Sequence, residues 1–395
     1  LNRITLTIIL ASLSMIGPIA IDSYLPSFGS IAKNLHVPEA AVQQTLSVYL
    51  ISFAISTLFI GTLSDRFGRK PVAVISLIGF SLVSVLASFS PNLEFLIFCR
   101  AFQGIFGSVG VVIGQSIVKD KFEGADARRM LANILMVFSI APAIAPIMGG
   151  FLESHFSWRA NFYFMAAFTA LIALLCILKL EETLPINHRH KLNFGSLVSG
   201  YVGCFTNPTF TLRAMAMGFS FGGIGIYIAS ASGFIVHILG LKETDFGWLF
   251  IPMVCGMIIG SRLSAHFADK ISATKMVFIG MAIGLSAAII NFVYNFFFAP
   301  KLLLAIIPLF IFAIGMTMTN PCINLMTLEL MPERKGLASS ASNFMRMAVF
   351  SMGSGVIAPI VFNSAHNLAL AMLGSYIIAV VLWFLSLKTV ELSPK

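Results

Sequence analysis

Charge is what this sequence has least of. Only 10% of its 395 residues are Asp, Glu, Lys or Arg, while 58% are hydrophobic. Soluble domains carry about a quarter charged residues and close to half apolar ones, so an ordinary water-soluble fold is excluded. Cysteine is sparse as well. Cys99, Cys176, Cys204, Cys255 and Cys322 are scattered with no CxxC pair, which points to small buried hydrophobes rather than a disulfide or zinc framework. His188 and His190 flank Arg189 in a polar stretch and read as a solvated loop, not a metal site. HExxH and G-x-x-x-x-G-K-[ST] are both missing, and a metalloprotease and an ATP-driven pump would each need one of them. The expectation is therefore no enzyme, no metal and no cofactor.

What is present is a series of long apolar runs. A helix needs about 20 such residues to cross a bilayer core of about 30 Å. Twelve segments qualify: 4–28, 42–62, 71–90, 93–117, 130–152, 160–180, 209–237, 244–267, 274–298, 302–322, 336–362 and 366–388. The first lacks a cleavage site and reads as a retained helix. The 37 Phe and 31 Gly fit this picture, because rings face lipid and small residues let helices approach.

Net charge is +9, and the position of that charge explains it without nucleic acid. With the amino terminus in the cytoplasm, only Lys33, Arg159, Lys242 and Lys301 fall outside, and Arg100 and Arg346 fall within spans. All other Lys and Arg lie on the cytoplasmic side, as the positive-inside bias requires. Both termini are then cytoplasmic. The longest polar interruption follows span 6. It divides the chain into a six-helix bundle over 1–182, a cytoplasmic linker over 183–208 and a second bundle over 209–395. A weak repeat supports the division: Asp269-Lys270 in the span 8–9 connection stands where Asp65-Arg66 stands in the span 2–3 connection.

Several short motifs carry a resemblance. Gly61-x-x-x-Asp65-Arg66-x-Gly68-Arg69-Lys70 resembles the signature loop of the major facilitator superfamily, between the proper spans. Arg100-x-x-Gln103-Gly104 in span 4 is similar to a signature of its proton-coupled members. Pro142, Pro146, Gly149 and Gly150 in span 5, with Trp158-Arg159 and Phe162 beyond, resemble the antiporter motif. Ala141 and Ala145 stand where that motif usually has glycine. Ala20-x-Asp22-x-Tyr24-Leu25-Pro26 and Gly336-x-Ala338-Ser339-Ser340 resemble the bicyclomycin/chloramphenicol-resistance (Bcr/CflA) branch of drug:proton antiporters. The resemblance implies an all-α membrane protein with twelve transmembrane helices in two pseudo-symmetric six-helix bundles. It also implies a span 2–3 loop that latches the halves during alternating access. The implied function is proton-coupled export of small amphiphilic drug-like compounds across a bacterial inner membrane, with lipid and protons as partners and a monomer as the working unit. Export of one endogenous metabolite or peptide is the alternative.

The motifs also have a direct physical reading. Asp65 lies just before span 3, where a carboxylate meets the positive end of the helix dipole. Gly61 and Gly68 read as two tight turns. Pro142 and Pro146 remove backbone donors and bend span 5, and Gly149-Gly150 permits close packing. Among the acids, Asp22 alone lies deep, about 9 Å below the outer end of span 1. Arg100 enters span 4 from the same side to about 10 Å, so the two can pair. Burial favours the neutral carboxyl and a nearby guanidinium the charged one. Such a site loads and releases protons as water access changes, or else it is a structural ion pair. Arg346 has no acid at its depth, which leaves a wet cavity, a backbone carbonyl, or an anionic or polar substrate as its counterpart. Tyr24, Tyr49, Phe138, Tyr227, Asn320 and Arg346 are candidates for an aromatic, sparsely polar substrate cavity.

Overall fold

The computed structural model describes residues 3–122, 124–185, 194–268, 270–332 and 335–391. Regular structure among them is helical throughout. The first compact unit is Leu1–Asn193 and the second Phe194–Lys395. Eleven helical stretches among the described residues are long and apolar enough to cross a membrane. A further helix, α7 (Gly124–His155), is 32 residues long and occupies the expected fifth span. Large apolar side chains such as Ile75, Phe98, Leu171 and Ile360 stand more than half exposed. In water that would be a liability; in lipid it is the ordinary outer surface.

The first unit contains α1 (Arg3–Asp22), α2 (Phe28–Leu35), α3 (Glu39–Phe67), α4 (Arg69–Ser88), α5 (Leu93–Gly107), α6 (Val109–Lys121), α7 and α8 (Trp158–Lys179). Span 1 is not one helix. It breaks after Asp22, passes through a short 3-10 turn at Leu25–Ser27 with Pro26 inside it, and resumes as α2. It therefore ends at Leu35 rather than near residue 28. Asp22 lies about 20 Å from its outer end, deeper than the sequence alone suggested.

The second unit contains α9 (Phe194–Thr206), α10 (Pro208–Ala229), α11 (Gly247–Phe267), α12 (Ala273–Phe297), α13 (Leu302–Leu328), α14 (Lys335–Met352), α15 (Ala358–Val361) and α16 (Ala365–Glu391). Helix α9 occupies much of the stretch expected to be linker, and it belongs to the second unit. His188, Arg189 and His190 lie outside the described residues, as does Asp269 of the expected repeat.

The internal packing of the two units follows one plan. In the first, α1 packs on α7, α3 on α5, and α4 on α8; in the second, α10 packs on α14, α11 on α13, and α12 on α16. These are equivalent pairs by span number, so the duplication expected from a faint sequence echo is plain in the packing.

Helix α7 runs through Pro142 and Pro146 without interruption. Ala141, Ala145 and Gly149, four residues apart, form a buried stripe. A β-carbon at Gly149 would overlap the Ser23 carbonyl, whereas one at Gly203 in α9 would meet nothing. Gly149→Ala is expected to cost about 1–3 kcal/mol through overpacking. Gly203→Ala is expected to be neutral or slightly stabilising, since alanine is the better helix former. Thermal unfolding of the purified proteins in detergent checks both.

Candidate functional site

The break in span 1 creates a local problem. The last carbonyls of a helix have no intrahelical partners, and here they are buried far from water. Ile19 is served locally, accepting from the Ser23 amide at 3.2 Å and the Ser23 hydroxyl at 2.7 Å. Ala20 is served from outside its helix: Nη2 of Arg100 donates to its carbonyl at 3.1 Å. Arg100 thus caps the C-terminal end of α1 with a charge, the sign that end favours.

Arg100 is fully buried, and the rest of its surroundings are built to match. Its Nη1 donates to Oε1 of Gln103 at 3.0 Å, and Nε2 of Gln103 donates to the Ser84 hydroxyl at 2.7 Å. The guanidinium carbon lies 4.6 Å from the ring centre of Tyr24 and 4.4 Å from that of Tyr49. Stacked, desolvated contacts of this kind are worth about 2 kcal/mol or more, and they supply negative potential without a negative charge. The Tyr24 hydroxyl pairs with Thr45 at 2.9 Å, and its ring meets Phe162 at 5.4 Å. Phe162 of the span 5–6 motif therefore touches the span 1 site directly.

Asp22 is buried at the same break, yet the expected ion pair does not form. Among the described residues, no cation lies within ion-pairing distance of its carboxylate. Arg100 spends its donors on Ala20 and Gln103 instead. Geometry explains the difference: the helix break aims the Ala20 carbonyl at the guanidinium. Asn161 of α8 steadies the same corner, its amide donating to Ser27 Oγ at 2.8 Å and to the Gly149 carbonyl at 3.2 Å.

A second cluster lies at the far end of this unit. Gly61 is helical within α3 rather than a turn. The turn is made by Gly68 alone, at φ 101°, a conformation that favours glycine. Asp65 and Ser64 both meet Nη1 of Arg69. Nε of Arg69 pairs with Asp120 of α6 at 3.0 Å, and Asp120 also accepts from the Thr183 hydroxyl at 2.9 Å. The carboxylate at the start of α4 is not Asp65 but Glu182, which accepts from the backbone amides of Arg69 at 2.9 Å and Lys70 at 3.3 Å. Lys70 reaches the Ile177 carbonyl at 2.9 Å. Arg66 lies exposed over Phe67. Nearby, the hydrogen bond from Lys121 holds the exposed Glu181 carboxyl below its ordinary pKa. Sequence reading missed Asp120, Glu182 and Thr183, because nothing local marks residues about 50 and 110 positions away as one cluster.

The second unit holds the remaining candidates. Tyr227 is fully buried and accepts from Asn291 Nδ2 at 2.8 Å, within a polar cluster that includes Asn295. This makes it a packed interior residue of the unit. Arg213, expected at the cytoplasmic surface, is instead buried in α10 and donates to the Met326 carbonyl at 2.8 Å, capping the last turn of α13. Arg346 donates to Asn343 Oδ1 at 2.7 Å and lies 5.7 Å from the Phe221 ring centre, with no acid in ion-pairing range among the described residues. Asn320 has a buried Oδ1 without a partner. The side chain of Phe138 lies outside the described residues. An apolar recess of about 240 Å³ opens among α10, α14 and α16, where the Ser375 hydroxyl is committed to the Phe219 carbonyl.

Gln103→Leu tests the buried chain from Ser84 to Arg100. It strands Nη1 of the guanidinium, while the Ser84 hydroxyl keeps its bond to the Phe80 carbonyl at 2.7 Å, so a loss of about 1–3 kcal/mol in stability is expected. Thermal unfolding in detergent reads it directly.

Comparison with known proteins agrees with the fold. The MFS-type transporter YdgK of Bacillus subtilis is 30% identical over 91% of this chain and 89% of its own. The bicyclomycin resistance protein homolog of Haemophilus influenzae is 29% identical, covering 95% and 94%. The chloramphenicol resistance protein CraA of Acinetobacter baumannii is 27% identical over 77% and 74%. In fold, the chain resembles a bacterial homolog of the human lysosomal transporter Spinster in its inward-facing, occupied conformation, at TM-score 0.72 and 17% identity over 98% and 96% of the two chains. The nucleoside transporter NupG gives TM-score 0.72 and 17% identity over 97% and 99%. Residues 7–354 match the Major Facilitator Superfamily; the chain belongs to that superfamily, on its bicyclomycin and chloramphenicol resistance branch.

Proposed function

We propose that this protein is a proton-coupled exporter of small amphiphilic compounds, working by alternating access in a bacterial cytoplasmic membrane with both termini in the cytoplasm. The observation that carries the reading is Asp22. It is a carboxylate at a helix break, buried near the middle of span 1, with no cation paired to it among the described residues. Holding such a group charged in a low dielectric costs several kcal/mol, so it takes up a proton or meets a cationic ligand. Broken helices at mid-membrane mark binding sites in transporters. The names of the relatives, bicyclomycin resistance and chloramphenicol resistance, supply the substrate class. Driving force then comes from the proton gradient, with no cofactor, and the monomer suffices.

In this reading the Arg69, Asp65, Asp120 and Glu182 cluster fixes the cytoplasmic ends of spans 2, 3, 4 and 6 as one piece. It is the part of the span 2–3 signature that a conformational cycle must preserve or release as a unit. Export of one endogenous metabolite or peptide is a second reading, favoured by Arg346: a cation without an acid suits a substrate carboxylate.

In energised inverted vesicles, adding substrate is expected to release stored ΔpH. Asp22→Asn should abolish that release while substrate binding and expression persist. Full ΔpH release by Asp22→Asn would sink the coupling role. A panel of neutral, cationic and acidic compounds in the same assay separates the two substrate classes.

A further inference from the structure

Two tyrosines enclose the Arg100 guanidinium, and they are not equivalent. The Tyr24 hydroxyl is committed to Thr45 at 2.9 Å. The Tyr49 hydroxyl is fully buried and has no hydrogen-bond partner among the described residues. Leaving such a group unsatisfied costs about 1–3 kcal/mol, so a partner at another stage of the working cycle is the economical explanation. The site is shaped to keep it there. A β-carbon at Gly104 would overlap the Tyr49 carbonyl, and one at Gly107 would press on the Tyr49 hydroxyl at 3.0 Å. Span 4 is thus smooth where Tyr49 lies, and the Gly104 of the span 4 motif gains a local reason. Asp22 shares this corner: it stands two residues beyond the Ala20 carbonyl that Arg100 holds at 3.1 Å, and the same guanidinium lies 4.4 Å from the Tyr49 ring centre.

From this placement we infer that Tyr49 is a positioning residue for proton exchange: its hydroxyl donates a hydrogen bond to the ionised Asp22 carboxylate during the deprotonated stage of the cycle. The inference rests on Asp22 being the exchanging group. Arg100 contributes the surrounding field and an Nε–H that is also without a partner, and Tyr49 supplies an uncommitted hydroxyl donor. The charged and titratable groups around it are Asp22 at the end of α1, Tyr24 in the break beyond it, and Arg100 from α5. Helix α4 brings Phe80 and Ser84. Helix α6 carries Asp120 and Lys121 at its far end, and Lys33 of α2 is exposed. Tyr49 was a candidate cavity residue by sequence; its burial and stacking assign it to the proton site instead.

The test is a titration of the Asp22 carboxyl by infrared difference spectroscopy on the purified full-length protein, its band identified by its loss in Asp22→Asn. Tyr49→Phe keeps the ring over the guanidinium and removes only the hydroxyl. A hydrogen bond to a charged group corresponds to about a tenfold to hundredfold preference, so the midpoint is expected to move about one to two pH units alkaline. Tyr24→Phe, whose hydroxyl is already committed, should leave it in place. An unmoved midpoint in Tyr49→Phe overturns the proposal, and so does an equal shift in Tyr24→Phe, which would mean general loosening of the clamp. If Tyr49→Phe fails to fold, 3-fluorotyrosine at position 49, a stronger donor, must move the midpoint to acid; no movement overturns the proposal. Substrate-driven ΔpH release by the wild type is read separately, so failure of the antiport reading shows there and not in the titration.

Discussion

The first unit depends on one contact: the Arg100 guanidinium reaching the Ala20 carbonyl where α1 stops. A transporter needs irregular backbone at the depth of its site, and irregular backbone in lipid needs partners. Arg100 supplies one. Its own charge is then met by two ring faces and a glutamine rather than by an acid. That leaves the nearby carboxylate unpaired. A salt bridge between Asp22 and Arg100 would have satisfied both groups and fixed both protonation states. The arrangement found engages both terminal nitrogens of the arginine and leaves the aspartate unpaired.

The second unit repeats the device with different residues. Arg213 caps the end of α13 through the Met326 carbonyl, with its guanidinium 5.7 Å from the Trp383 ring centre. In each unit a buried arginine beside aromatic rings closes an open helix end. What the second unit does not repeat is the acid: its polar cluster of Tyr227, Asn291 and Asn295 is neutral. Among the described residues the duplicated architecture therefore carries two electrostatic characters, a buried acid in one unit and a neutral polar cluster in the other.

Much of this was legible in the sequence, for a physical reason. Lipid imposes a length and an apolarity on every span, so span positions and the oddness of Asp22 follow from one-dimensional patterns. The break after Asp22 and its consequence were not read from the sequence, although Pro26 lies within the 3-10 turn that follows it. The partner of Arg100 proved to be a backbone carbonyl, and a carbonyl carries no letter in a sequence. The same holds for Glu182, whose bonds go to the amides of Arg69 and Lys70, and for Arg213, which sits near enough to a span end to pass for a loop residue. Contacts made by side chains to backbone are where residue patterns stop informing.

The corner around Asp22 has a mechanical consequence. Ser23 is seated against Gly149, Ser27 is tied to Asn161, and Ala20 is held by Arg100. Three anchors from three directions leave the acid little room to travel. A carboxyl that cannot swing toward either surface has to wait for water to come to it. Under the proposed coupling, the protein's movement serves to open and close approaches to an acid that stays in place.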